Sequence, residues 1–273
     1  MSSSFKTIVV SVGNELLNGR TANTNAQWLC GQVYSLGGEV RRILTVPDDL
    51  AAIEEALREA LERKPAWIVM TGGLGPTYDD VTLQGVAAAL GVPLVEDNRA
   101  REMIVRRLKE MKEAGRLDDA TLTPERAKMA RLPEGSSPLS NPAGTAPGAL
   151  VRSGDSWVVC LPGVPAEMKA VFLEHVAPRM AVGRLSTMTV EVEVWGQPEA
   201  SMAPLLKELA EKYQSTYVKS HPKGFEGRSR VLVQLTGRGR VGVDEVMAAK
   251  GELLEYLNSK GAEYKVLENP DSG

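Results

Sequence analysis

The feature that most constrains the fold is a run of three glycines within four residues, Gly72, Gly73 and Gly75, placed directly after the apolar segment 67–70. A buried strand that ends at Thr71, passes through Gly72-Gly73-Leu74-Gly75-Pro76-Thr77-Tyr78 and enters an apolar helical pattern over residues 79–90 is a strand–loop–helix unit. Its loop backbone can approach a ligand closely, and free N–H groups at a helix start favour an anion. The unit has company. Residues 7–12 are a further β-branched run, and 40–46 read as a second strand. Between the three runs, Trp28, Leu29, Val33 and Leu36, and then Ile53, Leu57, Ala60 and Leu61, recur at helical spacing, with Asp48 or Asp49 as the cap of the second helix. Strand and helix in regular alternation predict a parallel sheet with helices on both faces. Ligands of such sheets sit outside the carboxyl ends of the strands. By spacing alone the glycine loop reads equally as a tight turn and as a phosphate cradle.

Further along, helices are expected over 98–113 and 123–131, with Pro124 suited to the first helical position. A Pro-, Gly- and Ser-rich loop follows over 132–148, then a hairpin of 149–152 and 157–161, then a helix over 165–180. The pattern changes near Gly183. Alternating Val with Thr and Glu over 187–195 predicts a half-exposed strand, followed by a helix (199–213), two strands (216–219 and 230–236), a helix (243–259) and a last strand (263–267). That βαββαβ order is the split-βαβ arrangement. Residues 1–183 thus form one α/β domain and 184–273 a smaller α+β domain.

Composition narrows the function classes. Of 273 residues, 43% are hydrophobic and the net charge is −3, so real cores are available and a broad nucleic-acid surface is disfavoured. Cys30 and Cys160 make neither a disulfide framework nor a zinc site, and read as buried free thiols. With His175 and His221 as the only histidines, a histidine-rich metal site is excluded, and His175 reads as structural. No apolar run approaches the roughly 18–20 residues of a membrane span, and residues 1–8 lack a signal-peptide core, so a cytoplasmic location is expected.

The glycine loop is neither a Walker loop, for which the G-K-[ST] ending is missing, nor a dinucleotide fingerprint, since Gly73-Leu74-Gly75 is followed by Pro76-Thr77-Tyr78. Asp79 and Asp80 read either as macrodipole-stabilising residues of a first helical turn or as carboxylates that share a hard cation with a phosphate. Asp48 lies at another strand end, on the same edge of a parallel sheet, which favours the second reading. The basic run 219–224 and the literal G-x-x-G of Gly224-Phe225-Glu226-Gly227 invite a nucleic-acid reading. The position between two strands and the acidic Glu226 speak against it.

Three motifs in order, Thr71 to Thr82, the opening Val12-Gly13-Asn14-Glu15-Leu16-Leu17-Asn18-Gly19 with Asn23-Thr24-Asn25, and Leu161-Pro162-Gly163-Val164-Pro165 with Glu167-Met168, resemble the N-terminal region of the competence/damage-inducible CinA proteins. That region belongs to the molybdopterin-binding, MoaB/MogA-like superfamily. The resemblance covers residues 6–180, and 184–268 resemble the KH-like domain that follows in CinA. It implies a three-layer α/β/α sandwich. It also implies a phosphate-cradling turn at Gly72, Gly73 and Gly75, with Thr77 and Thr82 beside it, and a second binding loop at Pro162, Gly163 and Pro165. Asp80 and Asp48 match the carboxylates implicated in metal binding and catalysis, and Glu15 and Asn25 match the first loop. Asn141 to Gly148 resembles an asparagine-glycine loop near the site. The resemblance further implies a divalent cation (Mg2+, Mn2+ or Co2+), a nucleotide or pterin phosphate as ligand, and a homodimer or higher homo-oligomer. Adenylyltransferases of the superfamily carry serine where this chain has Val164, which argues against pterin adenylylation and for the ADP-ribose pyrophosphatase activity associated with CinA-type domains. Molybdopterin binding or adenylylation and a non-catalytic nucleotide sensor are the alternatives. The deamidase domain of bacterial CinA finds no counterpart here, and that activity is not expected.

Overall fold

The computed structural model describes residues 4–181, 187–226 and 228–268. The chain separates into two compact units, one up to residue 182 and one from residue 183. The first unit runs β1 (Lys6–Val12), α1 (Asn14–Leu17), α2 (Thr24–Ser35), β2 (Glu39–Val46), α3 (Leu50–Glu62), β3 (Trp67–Thr71), α4 (Thr82–Leu90), β4 (Leu94–Glu96), α5 (Asn98–Glu113), α6 (Pro124–Lys128), β5 (Arg131–Pro133), β6 (Ser137–Leu139), β7 (Gly148–Ser153), β8 (Ser156–Leu161), α7 (Pro165–Val171) and α8 (Ala177–Met180). A single π turn, Phe172–Val176, joins the last two helices.

Within the described residues a six-stranded sheet has the order β2-β1-β3-β8-β7-β6. Its first four strands are parallel, and the β7–β8 hairpin adds the antiparallel edge. The central strands β1, β3 and β8 are covered on both faces, which is why they read as largely apolar runs. Ile8, Val10, Ile68, Met70, Val158 and Cys160 point to the face packed by α3, α4 and α5. Val9, Val69, Val159 and Leu161 point to the face packed by α2 and α7. The result is the three-layer α/β/α sandwich expected from the sequence.

That arrangement fixes where a crevice opens. β1 leads into α2 on one face, and the neighbouring β3 leads into α4 on the other. Chains that leave adjacent strands toward opposite faces part at the carboxyl edge, the switch point where open α/β sheets bind ligands.

Several expectations need correction. The helix read from residue 79 begins at Thr82. The Asp80 amide turns back to the Thr77 carbonyl (3.3 Å), so Asp79 and Asp80 belong to the loop and not to a first helical turn. The helix read over 123–131 ends at Lys128, and the long loop over 132–148 contains β6 and most of β5. β4 and β5 pair in a small antiparallel sheet of their own, and three-residue strands are too short to show a period. The helix read over 165–180 is interrupted by the π turn. There His175 Nε2 lies 2.8 Å from Ser140 Oγ and 3.1 Å from the Ser140 carbonyl, a structural role that ties this helix to the end of β6.

The second unit runs β9 (Thr187–Trp195), α9 (Glu199–Lys212), β10 (Thr216–Glu226), β11 (Arg228–Arg238), α10 (Gly239–Ser259) and β12 (Glu263–Glu268). Its antiparallel sheet has the order β10-β11-β9-β12. That is the split-βαβ topology, with Val192, Val194, Val233 and Leu235 packed against Leu209 of α9 and Val246, Leu253 and Leu257 of α10. β10 and β11 extend well beyond the expected segments 216–219 and 230–236, and α10 starts four residues before residue 243. The basic run therefore lies largely within β10. Gly224 to Glu226 close that strand, and Gly227 lies outside the described residues. No helix among the described residues is long and apolar enough to cross a membrane.

Two measurements check this packing. Phe172, fully buried and edge-on to Trp28 at 5.5 Å between ring centroids, should cost about 3–5 kcal/mol when replaced by Ala, read from urea unfolding. Cys160 is fully buried, and desolvation pushes its thiol up to about 12. Iodoacetamide at mildly alkaline pH should therefore label the half-buried Cys30 first, and Cys160 only at the rate of unfolding.

Candidate functional site

The backbone at the sheet's carboxyl edge is drawn together before any side chain contributes. The Gly13 amide donates to the Val46 carbonyl (3.0 Å) and the Gly72 amide to the Leu161 carbonyl (3.1 Å). Gly72 has φ +105°, and a Cβ there would stand 2.1 Å from the Val12 carbonyl oxygen. Only glycine permits both the conformation and the approach. A Cβ on Gly163 would stand 3.3 Å from Gly72 Cα. The loops after β1, β3 and β8 thus meet as main chain against main chain.

Polar side chains lock that meeting. Asn25, in the first turn of α2, donates from Nδ2 to the Gly163 carbonyl (2.7 Å) and to Thr71 Oγ1 (3.2 Å). Thr71 Oγ1 donates in turn to the Pro162 carbonyl (2.8 Å). Asn23 caps α2 by accepting from the Ala26 amide (3.1 Å), and also joins Ser11 and Thr45 at the ends of β1 and β2. Thr82 is fully buried. Its hydroxyl donates to the Gly72 carbonyl (2.8 Å) and its amide to the Gly73 carbonyl (3.2 Å), so its side chain holds the glycine loop from behind. Pro165 begins α7, and Val164 before it supplies no side-chain cap.

The carboxylates are divided by role. Asp49 caps α3, accepting from the Ala52 amide (2.9 Å). That leaves Asp48 free to reach across to the first loop, where its Oδ2 accepts from the Asn14 amide (2.8 Å). The Glu15 carboxylate folds over Gly13, with Oε1 2.5 Å from where a Cβ would be. Asp80 folds into the glycine loop: its Oδ2 accepts from the Thr77 amide (2.8 Å) and hydroxyl (2.5 Å), and it lies 2.6 Å from where a Cβ on Gly75 would be. Asp48 and Asp80 are thus held by different loops of one edge, each with its hydrogen bonds on Oδ2. A hard divalent cation takes such oxygens, and Oδ1 of each is the oxygen on which none of these bonds falls.

Asp79 shares the same hydroxyl, with Thr77 Oγ1 2.5 Å from its Oδ1. That hydrogen bond, its own backbone amide and the nearby Lys128 hold its carboxyl below the usual range. Its contribution to loop order is therefore full above the unfolded-state pKa and lost as pH falls through the lower folded one. Lys128, at the end of α6, donates to the Thr77 carbonyl and so grips the loop from a distant element. Nothing in the one-dimensional pattern marks Lys128, because the link spans fifty-one positions. Asn141 lies between β6 and β7. It orders its own turn, accepting from the Ala143 and Gly144 amides (3.1 and 2.8 Å) and donating to Ala146 O and Glu167 Oε2 (2.9 and 2.6 Å).

Comparisons with known proteins place the family. Residues 8–182 match the family described as "Probable molybdopterin binding domain". A protein of Aeropyrum pernix is 47% identical over 257 residues, covering 91% of each chain. One of Pyrococcus horikoshii is 38% identical over 257 residues, covering 94% of this chain and 96% of its own. Among solved structures, a CinA protein of unknown function from Thermoplasma acidophilum is 43% identical, with a TM-score of 0.56 over 63% of this chain and 95% of that one. The chain belongs to the molybdopterin-binding-domain family, and its first unit is a CinA-type N-terminal region.

Proposed function

We propose that this chain binds a nucleotide pyrophosphate, ADP-ribose or a related dinucleotide, in the crevice between the carboxyl ends of β1 and β3, and hydrolyses it with the help of a divalent cation. The observation that carries this reading is the pair of carboxylates, Asp48 and Asp80, fixed by amides of two glycine-bearing loops on one sheet edge. Their oxygen donors suit Mg2+, Mn2+ or Co2+. Such a cation, when bound, neutralises phosphate charge and lowers the pKa of a bound water.

The chain's own groups supply the rest. The glycine loop brings main chain close to the phosphates, and Thr77 holds Asp80 in place. Glu15, exposed beside Gly13, accepts the proton of the attacking water. Oxygen of that water bonds to one phosphorus, the bridging P–O bond breaks, and AMP and ribose 5-phosphate leave. A second reading, molybdopterin binding with or without adenylylation, draws on the family description. The alkyl side chain of Val164 offers no hydroxyl to a pterin or phosphate at that position.

Chromatographic assay of AMP release from ADP-ribose across Mg2+, Mn2+ and Co2+ tests the first reading. Asp80→Ala and Asp48→Ala should each lower turnover at least about 100-fold, as loss of a charge-stabilising group does. Full activity in Asp80→Ala would remove that residue from the mechanism. Pterin fluorescence after oxidation of the purified protein tests the second reading, and its presence at near one per chain would favour pterin over dinucleotide. Tight nucleotide binding without turnover across these metals would select a non-catalytic sensor.

A further inference from the structure

Resting on the nucleotide reading above, we infer that Tyr78 is the stacking platform for the purine ring of the ligand, with Val164 as the second apolar wall of that subsite. Tyr78 is 92% exposed, the most exposed large apolar side chain among the described residues. An aromatic ring held out in water is common on a mobile tip and needs an explanation on a pinned one. Here the backbone on both sides is pinned. The Thr77 amide and hydroxyl donate to Asp80, the hydroxyl also lies against Asp79, and the Thr77 carbonyl accepts from Lys128 and from the Asp80 amide. The Cα of Tyr78 is fixed while the ring stays free to turn about its side-chain bonds. On a held backbone a tyrosine has only its side-chain torsions left to fix when a flat ring stacks on it.

The second observation is independent. Val164, 54% exposed, stands next to Gly163 in the loop that abuts Gly72. The two loops in contact at Gly72 and Gly163 each hold a large apolar side chain in solvent, beside glycine amides and carboxylates. A ligand with a charged part and a flat, weakly polar part matches both. A sugar phosphate or an inorganic polyphosphate has no group for the apolar pair.

Calorimetry on the full chain with Mg2+ and two probes, AMP and ribose 5-phosphate, isolates the ring, since the two differ by adenine alone. The parent should bind AMP at least about 10-fold more tightly, the size of one base–aromatic stack. Tyr78→Ala should bring AMP down to the level of ribose 5-phosphate and leave the latter unchanged, and Tyr78→Phe should behave as the parent. Equal AMP affinity in Tyr78→Ala and parent overturns the inference, as does equal loss of both probes. A parent that binds ribose 5-phosphate and gains nothing from adenine overturns the ring subsite alone. A parent that binds neither probe overturns the phosphate site itself, and the ring subsite with it.

Discussion

The close approach of main chain at the carboxyl edge is the constraint on which the rest of the first unit depends. Gly72 at φ +105°, where a Cβ would stand only 2.1 Å from the Val12 carbonyl oxygen, sets how near the loops after β1 and β3 can come. The Gly72 amide then ties the same point to Leu161 and so to the loop after β8. A side chain at position 72 would push these strand ends apart and widen the crevice between them. The polar lock of Asn25, Thr71 and Pro162 works only because the backbones already touch.

Charge placement follows from that geometry. Two adjacent aspartates, Asp48 and Asp49, point to different tasks because one of them must cap α3. The cap satisfies an orphan donor of the helix, and its neighbour is then available to the Asn14 amide in the loop after β1. Asp79 and Asp80 divide similarly around one threonine hydroxyl. A carboxylate that accepts an amide hydrogen bond stays ordered without losing its charge, the condition a cation-binding or phosphate-facing group must meet. Lys128 adds a long-range hold on the far part of this loop, arriving from the end of α6 with no periodic signal of its own.

The second unit stands on different physics. Its sheet is covered on the face that carries Val192, Val194, Val233 and Leu235, and its strands alternate accordingly. Alternation is what made its βαββαβ order readable. Its ends were not readable, because β10 and β11 pair through Phe225 and Ser229, past the residues that carry the pattern, with a register shift between Pro222 and Phe225. Strand pairing there is decided by backbone hydrogen bonds between segments whose side chains show no period.

By itself the sequence determined the layer architecture, the parallel direction of its first three strands, the domain types, and the three motif-bearing loops, since apolar period and glycine position are local properties. Tertiary structure alone decided which neighbouring aspartate is the cap and which the free carboxylate, that Asp79 and Asp80 precede α4, and that Thr82 is buried behind the loop. It also decided that Asn141 orders its own turn and that Lys128 belongs to the site. In each case the deciding hydrogen bond is made by loop groups with no periodic signal, many of them between distant segments. Local preference among equally suitable polar residues is nearly flat, so the partner supplied by the fold makes the choice.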